Sequence, residues 1–404
     1  MSTATPPVAG RSMSLARLIS ICISARLLID ITTQMFNPFL PIFAAGLNTD
    51  VVVMGRLVGL RSVMGLLAPL FGSLADRYGY RLVLRGALLT GAVGLAVVGG
   101  SQGVPQALVG MAIIGLGTAG FVPTLLAYLS ARLPYAQRAR GIGILEYSWA
   151  LTGIVGLSLM GWLIAATTWR TPFFVLSVGL ALMAVVFGVL PSAAEERAGR
   201  AAHPMPLRGG IAGFLDVGEN RVSTYATMAA AAAGYFAAMQ IMIIHGAWYA
   251  DAYGLGPREL GLVALLFGCF DLAASVSVSL FTDRIGKRRS VIFGTVGALI
   301  GYLIIPWLNV GLAPAVISVA LGRGAFEFAI VSFLPLLSEQ VPAQRAKVMT
   351  LGAAVSLAAM TVAATLAPLL YTRLGISGVA SLSAVCAAVS LTLLLTRVRE
   401  RTGA

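Results

Sequence analysis

The chain is a succession of apolar runs, each about twenty residues long, separated by short segments rich in arginine, glycine and proline. A helix rises about 1.5 Å per residue, so about twenty residues cross the hydrocarbon core of a bilayer. Read this way, the pattern predicts twelve membrane helices. They fall near 15–45, 51–74, 82–101, 105–131, 141–166, 171–191, 222–247, 259–281, 288–308, 312–338, 346–371 and 376–396. The expected fold class is an all-α membrane protein with two pseudo-symmetric six-helix bundles.

One interior segment breaks the rhythm. Ser192 to Arg221 carries Glu195, Glu196, Arg197, Arg200, Arg208, Asp216 and Glu219. It divides the chain into an expected N-terminal bundle (1–191), a linker (192–221) and a C-terminal bundle (222–404). Ile211, Phe214 and Leu215 suit a short amphipathic piece lying on the membrane surface, and an irregular linker fits equally well.

Composition narrows the class further. Hydrophobic residues make up 58% and charged residues 11% of the chain, whereas soluble domains carry about a quarter charged residues. Mean hydropathy is +0.90. The net charge of +13 does not mark a nucleic-acid binder, because the basic residues lie between apolar runs and form no patch. Cys22, Cys269 and Cys386 each sit inside an apolar run, giving neither a disulfide framework nor metal-ligand spacing. With only His203 and His245, and no Gly-x-Ser-x-Gly, His-Glu-x-x-His or P-loop, neither an enzyme nor ATP drive is expected. Arg11 and Arg17 precede the first run as in a signal peptide. That run contains Arg26 and Asp30 and has no clean cleavage site, so it reads as a retained helix.

Lys and Arg collect in alternate loops. Twenty-one lie on one face and three (Arg170, Arg258 and Arg373) on the other, with four inside helices. By the positive-inside rule both termini and the linker are expected in the cytoplasm, with the chain in the cell's inner membrane.

Two loops on that basic face repeat. Gly72-Ser-Leu-Ala-Asp76-Arg77-Tyr-Gly79-Tyr-Arg81 returns as Ser279-Leu-Phe-Thr-Asp283-Arg284-Ile-Gly286-Lys287-Arg288, and Ala136-Gln137-Arg138-Ala139 returns as Ala343-Gln344-Arg345-Ala346. Both matches have an offset of 207 residues. One offset in two separate loops predicts parallel repeats related by an axis along the membrane normal. Gly79 and Gly286 would permit left-handed backbone in a very short loop.

The segment Gly72 to Arg81 closely resembles the loop between helices two and three of the major facilitator superfamily, and Ser279 to Arg288 resembles its weaker copy between helices eight and nine. Trp169-Arg170-Thr-Pro172-Phe173 is similar to that family's common start of helix six. The likeness extends over nearly the whole chain. It implies a secondary transporter with a mid-membrane substrate site, alternating access and a cavity lined by helix ten. A multidrug/proton antiporter is an alternative within the family, and a non-transporting sensor or scaffold is another. Two departures weigh against the antiporter branch. Val109-Gly110-Met111-Ala112 in helix four lacks the common Arg, and Gly153 to Gly161 in helix five lacks the Gly-Pro pair.

Charges deep in the membrane are costly, by at least about 2.5–3.5 kcal/mol on insertion scales, and so mark candidate chemistry. On helix one, Arg26, Asp30 and Gln34 recur every fourth residue, with Thr33 and Asn37 beside them. Arg61 on helix two lies at matching depth, so Asp30 and Arg61 are expected to pair, with Arg26 the competing partner. In the second half the deep charges are Asp271, Arg323 and Glu327. Arg56 and Glu146 lie nearer the ends of their helices and read as interfacial. The remaining ledger leaves one cation in excess in the first half and one carboxylate in the second. A buried arginine seeks an anion, and an unpaired buried carboxylate can carry a proton. The pattern points to proton-coupled movement of a solute with an anionic group, and the structural alternative is that these charges only lock helices together. By spacing, Arg323 neighbours Glu327 and leaves Asp271 alone; by resemblance, Glu327 is the better proton carrier. Tyr235, Phe236 and Gln240 of helix seven are expected to line the cavity opposite helix one, and His245 to lie near the outer end. The expected partners are a small-molecule solute, protons and the bilayer, with no cofactor and the chain acting as a monomer.

Overall fold

The computed structural model describes residues 15–133, 135–190, 216–217 and 220–400, apart from the side chains of 135–142, 279, 283, 343 and 346. The amphipathic candidates Ile211, Phe214 and Leu215, and His203, lie outside the described residues. Within them the chain forms twelve helices. The first half comprises α1 (Leu15–Gln34 and Phe36–Gly46), α2 (Val51–Tyr78), α3 (Tyr80–Gly99), α4 (Val104–Arg132), α5 (Tyr135–Leu151, Thr152–Leu157 and Ser158–Ala166) and α6 (Thr171–Val186 and Phe187–Val189). The second comprises α7 (Arg221–Tyr253), α8 (Pro257–Ile285), α9 (Lys287–Leu308), α10 (Leu312–Ser338), α11 (345–374) and α12 (376–396).

The helices differ from the expected runs for local reasons. The expected run 15–45 breaks at Met35 because Pro38 offers no N–H to the Gln34 carbonyl. The run Arg345–Thr396 spans 52 residues without a loop, about twice the length needed to cross. It divides at Gly375, whose φ of 65° and ψ of −170° no helix contains. Polar helix ends extend past the apolar runs: α2 continues to Tyr78 and α7 to Tyr253.

The two repeated turns adopt one backbone conformation. Gly79 has φ 90° and ψ 147°, and Gly286 has φ 93° and ψ 144°. The arginines that follow do equivalent work. Arg81 Nη1 donates to the Leu190 carbonyl at 3.1 Å, beyond the end of α6, and Arg288 Nη2 donates to the Leu394 carbonyl at 2.9 Å, near the end of α12. Each thus satisfies a carbonyl that its helix end leaves open.

The halves meet along three seams on the side away from the basic loops. On α5 and α8, a Cβ on Gly153 would stand 2.8 Å from the Gly268 Cα, and one on Gly161 would stand 2.9 Å from the Gly261 Cα. On α2 and α11, a Cβ on Gly55 would meet the Ala364 carbonyl at 2.7 Å. On α1 and α7, Gly246 faces the Pro38 carbonyl at a spacing that admits no side chain. Backbones in direct contact give the dense packing that holds helices together where lipid removes any hydrophobic drive. Nearer the basic loops, residues 68–78 of α2 turn to α3 and α4 of their own half, and Ser73, Leu74 and Asp76 are exposed. The structure is therefore sealed on the arginine-poor side and parted on the arginine-rich side.

Candidate functional site

The first-half charges gather where α1 packs on α5. Arg26 Nε lies 3.0 Å from both Asp30 carboxylate oxygens, one helical turn along α1. Ser148 on α5 donates its hydroxyl to Asp30 at 2.6 Å. Gln34 Nε2, a further turn up the same stripe, donates to the Trp149 carbonyl at 3.3 Å. The polar stripe of α1 thus faces a partner helix. Arg26 and Asp30 are both buried, and Arg26 Nη1 has no hydrogen-bond partner.

This arrangement corrects the expected Asp30–Arg61 pair. Arg61 instead donates to the Thr33 carbonyl at 2.8 Å and lies over the Phe36 ring, 5.0 Å from its centroid. Asp30 is turned toward α5, where Ser148 binds it, and its i, i+4 neighbour Arg26 is within reach on the same helix. Among the described residues no carboxylate lies within ion-pair distance of Arg61.

Glu146 also differs from expectation. It joins the charged cluster: its carboxylate lies 3.8 Å from Arg26 Nη2, and its side chain is 51% exposed. Depth along the helix was misleading here, since α5 turns this position inward toward α1.

In the second half, Arg323 on α10 grips Asp271 on α8 through Nε at 2.9 Å and Nη2 at 2.7 Å. Asp271 is therefore not the solitary acid that spacing suggested. Arg323 reaches across to α8, where the fork geometry of guanidinium and carboxylate match. Among the described residues Glu327 forms no ion pair and accepts a 3.4 Å hydrogen bond from the Ser275 hydroxyl, with Arg323 and Asp271 within electrostatic reach.

Helix α7 completes the wall. Tyr235 packs edge-on against Phe326 of α10 at 5.5 Å between centroids and lies within electrostatic reach of Glu327 and Glu146. Phe236 and Asn37 are half-buried. Gln240 is fully buried, and neither end of its amide has a partner. His245 is not at the surface. It is 2% exposed, with Nδ1 2.7 Å from the Met242 carbonyl and its ring against Tyr249 and Phe267. Of the repeated loop residues, Gly72, Asp76 and Arg77 are exposed, as is Arg284, while the Asp283 side chain lies outside the described residues. No group of three or more potential metal ligands occurs among the described residues.

A bundle of membrane-length helices with a charged cluster at mid-depth defines a polytopic membrane protein. The Major Facilitator Superfamily model matches residues 22–322 and 226–404, and the chain belongs to that superfamily of transporters. It is 25% identical over 362 residues to the MFS-type transporter YwfA of Bacillus subtilis (strain 168), spanning 88% of this chain and 85% of that one. It is 27% identical to the class C tetracycline resistance protein of Escherichia coli over 71% of this chain and 72% of that protein. Against the chloramphenicol resistance protein of Streptomyces lividans it is 26% identical over 80% and 78% respectively. Among solved structures, the peptide transporter POT in complex with sulfate superposes with a TM-score of 0.75 at 17% identity, covering 95% of each chain. A bacterial homologue of the lysosomal transporter Spinster, inward-facing and unoccupied, gives 0.73 at 12% identity over 96% of this chain and 95% of that one.

Proposed function

We propose that this superfamily member is a proton-coupled secondary transporter that carries a small organic solute with an anionic group by alternating access. The carrying observation is the distribution of partners among the deep charges. Asp30 and Asp271 are each bonded to an arginine, whereas Glu327, among the described residues, forms no ion pair and is hydrogen-bonded to a serine hydroxyl. A carboxylate without a counter-ion in this setting is suited to take up and release a proton. Arg61 stays ionised at any working pH and has open N–H groups, which suits it to an anionic group on the solute. Superfamily membership supplies alternating access. The two six-helix bundles would rock about the glycine seams, with the arginine-rich face, termini and linker in the cytoplasm.

A multidrug efflux reading has its own support in relatives named for resistance to tetracycline and chloramphenicol. The missing Arg in helix four and Gly-Pro pair in helix five count the other way. One experiment separates the two readings. A thermal-shift screen of the purified protein against organic acids, sugars and drugs should raise Tm with organic acids by mass action. Stabilisation by cationic or neutral drugs alone would replace the anionic reading with the efflux one. A pH gradient should then drive accumulation of the hit in proteoliposomes.

A further inference from the structure

The seam between α5 and α8 carries an implication for Glu146. These antiparallel helices touch at Gly153 and Gly268. Seven residues from that contact toward the basic face, α5 reaches Glu146 and α8 reaches Ser275, each about 10 Å further along its axis. Ser275 is the residue that donates to Glu327 at 3.4 Å. Glu146, Ser275 and Glu327 therefore occupy one level, on opposite sides of the seam where it parts. In this open arrangement Glu146 is half exposed and leans 3.8 Å from Arg26, too far for a hydrogen bond. Closing the basic face would bring α5 and α8 together at that level and carry Glu146 onto Ser275 and Glu327.

We propose that Glu146 and Glu327 form a proton-sharing pair across this seam, so that the basic face closes only when one proton sits between them. Two ionised carboxylates cannot approach to hydrogen-bond distance in a site of low dielectric, whereas a carboxylic acid and a carboxylate attract through one strong O–H···O bond. The proton comes from water on the open side, binds one carboxylate oxygen and is held by the other after closure. The charged or titratable groups facing the pair are Arg26 and Asp30 from α1, Tyr235 from α7, Asp271 from α8 and Arg323 from α10, with Tyr302 of α9 beside Arg323. Arg26 Nε and Arg323 are bonded to Asp30 and Asp271, and Arg26 Nη2 stands 3.8 Å from Glu146 in the open arrangement, an ion pair that Glu146 must leave to reach Glu327. This inference rests on the reading of Glu327 as a proton carrier and adds its partner.

The test is a distance measurement on the full chain in lipid nanodiscs between spin labels at Leu82 and Arg289. These are exposed positions near the basic ends of α3 and α9, one repeat apart, in a background lacking Cys22, Cys269 and Cys386. In the wild type, lowering the pH should convert long distances to short ones. The closed-to-open ratio should change by about tenfold per pH unit, the slope for one proton. Glu146→Gln and Glu146→Ala should both close without regard to pH, and Glu146→Asp should restore the response. A wild-type distribution that ignores pH overturns the pair. So does a Glu146→Gln or Glu146→Ala response as steep as wild type. In the latter case, loss of the response in Glu327→Gln leaves the proton reading of Glu327 standing alone, while persistence in Glu327→Gln removes both.

Discussion

Arg323 and Asp271 are joined by a two-pronged ion pair between α10 and α8, with nitrogen–oxygen distances of 2.9 and 2.7 Å. That pair separates the two deep acids of the second half: Asp271 is held between helices, whereas Glu327 forms no ion pair among the described residues. Asp271→Asn should therefore act on folding. Removing one member of a buried pair strands the other and costs roughly 3–5 kcal/mol. Low detergent-extracted yield and a lowered Tm are expected.

Glu327→Gln should behave in the opposite way. Its partner is a single serine hydroxyl, so the variant should fold and keep its Tm within a few degrees. Solute exchange in proteoliposomes should persist, because exchange moves no net proton, while accumulation driven by a pH gradient should vanish. If gradient-driven accumulation survives in this variant, Glu327 does not carry the proton.

Among the described residues Arg61 makes one hydrogen bond, to the Thr33 carbonyl, and in the proposed function its charge meets the solute. Arg61→Ala removes a charge-assisted contact worth about 1.5–3 kcal/mol. KM for an anionic solute should rise by one to two orders of magnitude, with Tm changing little. Arg61→Lys should recover part of the affinity. An unchanged KM in Arg61→Ala would show that the solute does not touch this guanidinium.

The seal on the arginine-poor side predicts a mutation that shifts the equilibrium. A Cβ on Gly268 would fall 2.6 Å from the Ile154 amide nitrogen and 2.9 Å from the Ala150 carbonyl. Gly268→Val should wedge the seam apart and raise the population open on the arginine-poor side. Thiol labelling of cysteines placed along the basic face of the cavity should slow, and equal labelling rates in both proteins would argue against the wedge.

Arg26 and Asp30 lend themselves to a double-mutant cycle. Arg26→Met strands a buried carboxylate, and Asp30→Asn strands a buried guanidinium. Each single change should lower Tm more than the double change does.

The twelve helices were legible in the sequence because lipid demands long apolar runs and self-satisfied backbone, and each run announces itself. The Gly79 and Gly286 turns were legible through a shared offset. Partner choice among charges was not. Depth along helices suggests Arg61 for Asp30, and spacing along α10 suggests Glu327 for Arg323, whereas the structure joins Arg26 to Asp30 and Arg323 to Asp271. Depth is one coordinate, and pairing also needs the rotation of each helix about its axis. The near-uniform hydrophobicity of these helices hides that rotation. Glu146 was passed over for the same reason. The signal that could have found it was its neighbour Ser148, one of few hydroxyls in the inner half of helix five.

The seal on the arginine-poor side is backbone against backbone, at Gly153 and Gly268, Gly161 and Gly261, and Gly246 and Pro38. Nothing in that closure consults the side chains that line the cavity. If Tyr235, Phe236 and Asn37 face the cargo as proposed, exchanging them would leave that backbone contact as it is. Specificity and movement would then rest on separate parts of the chain, one written in side chains and the other in backbone.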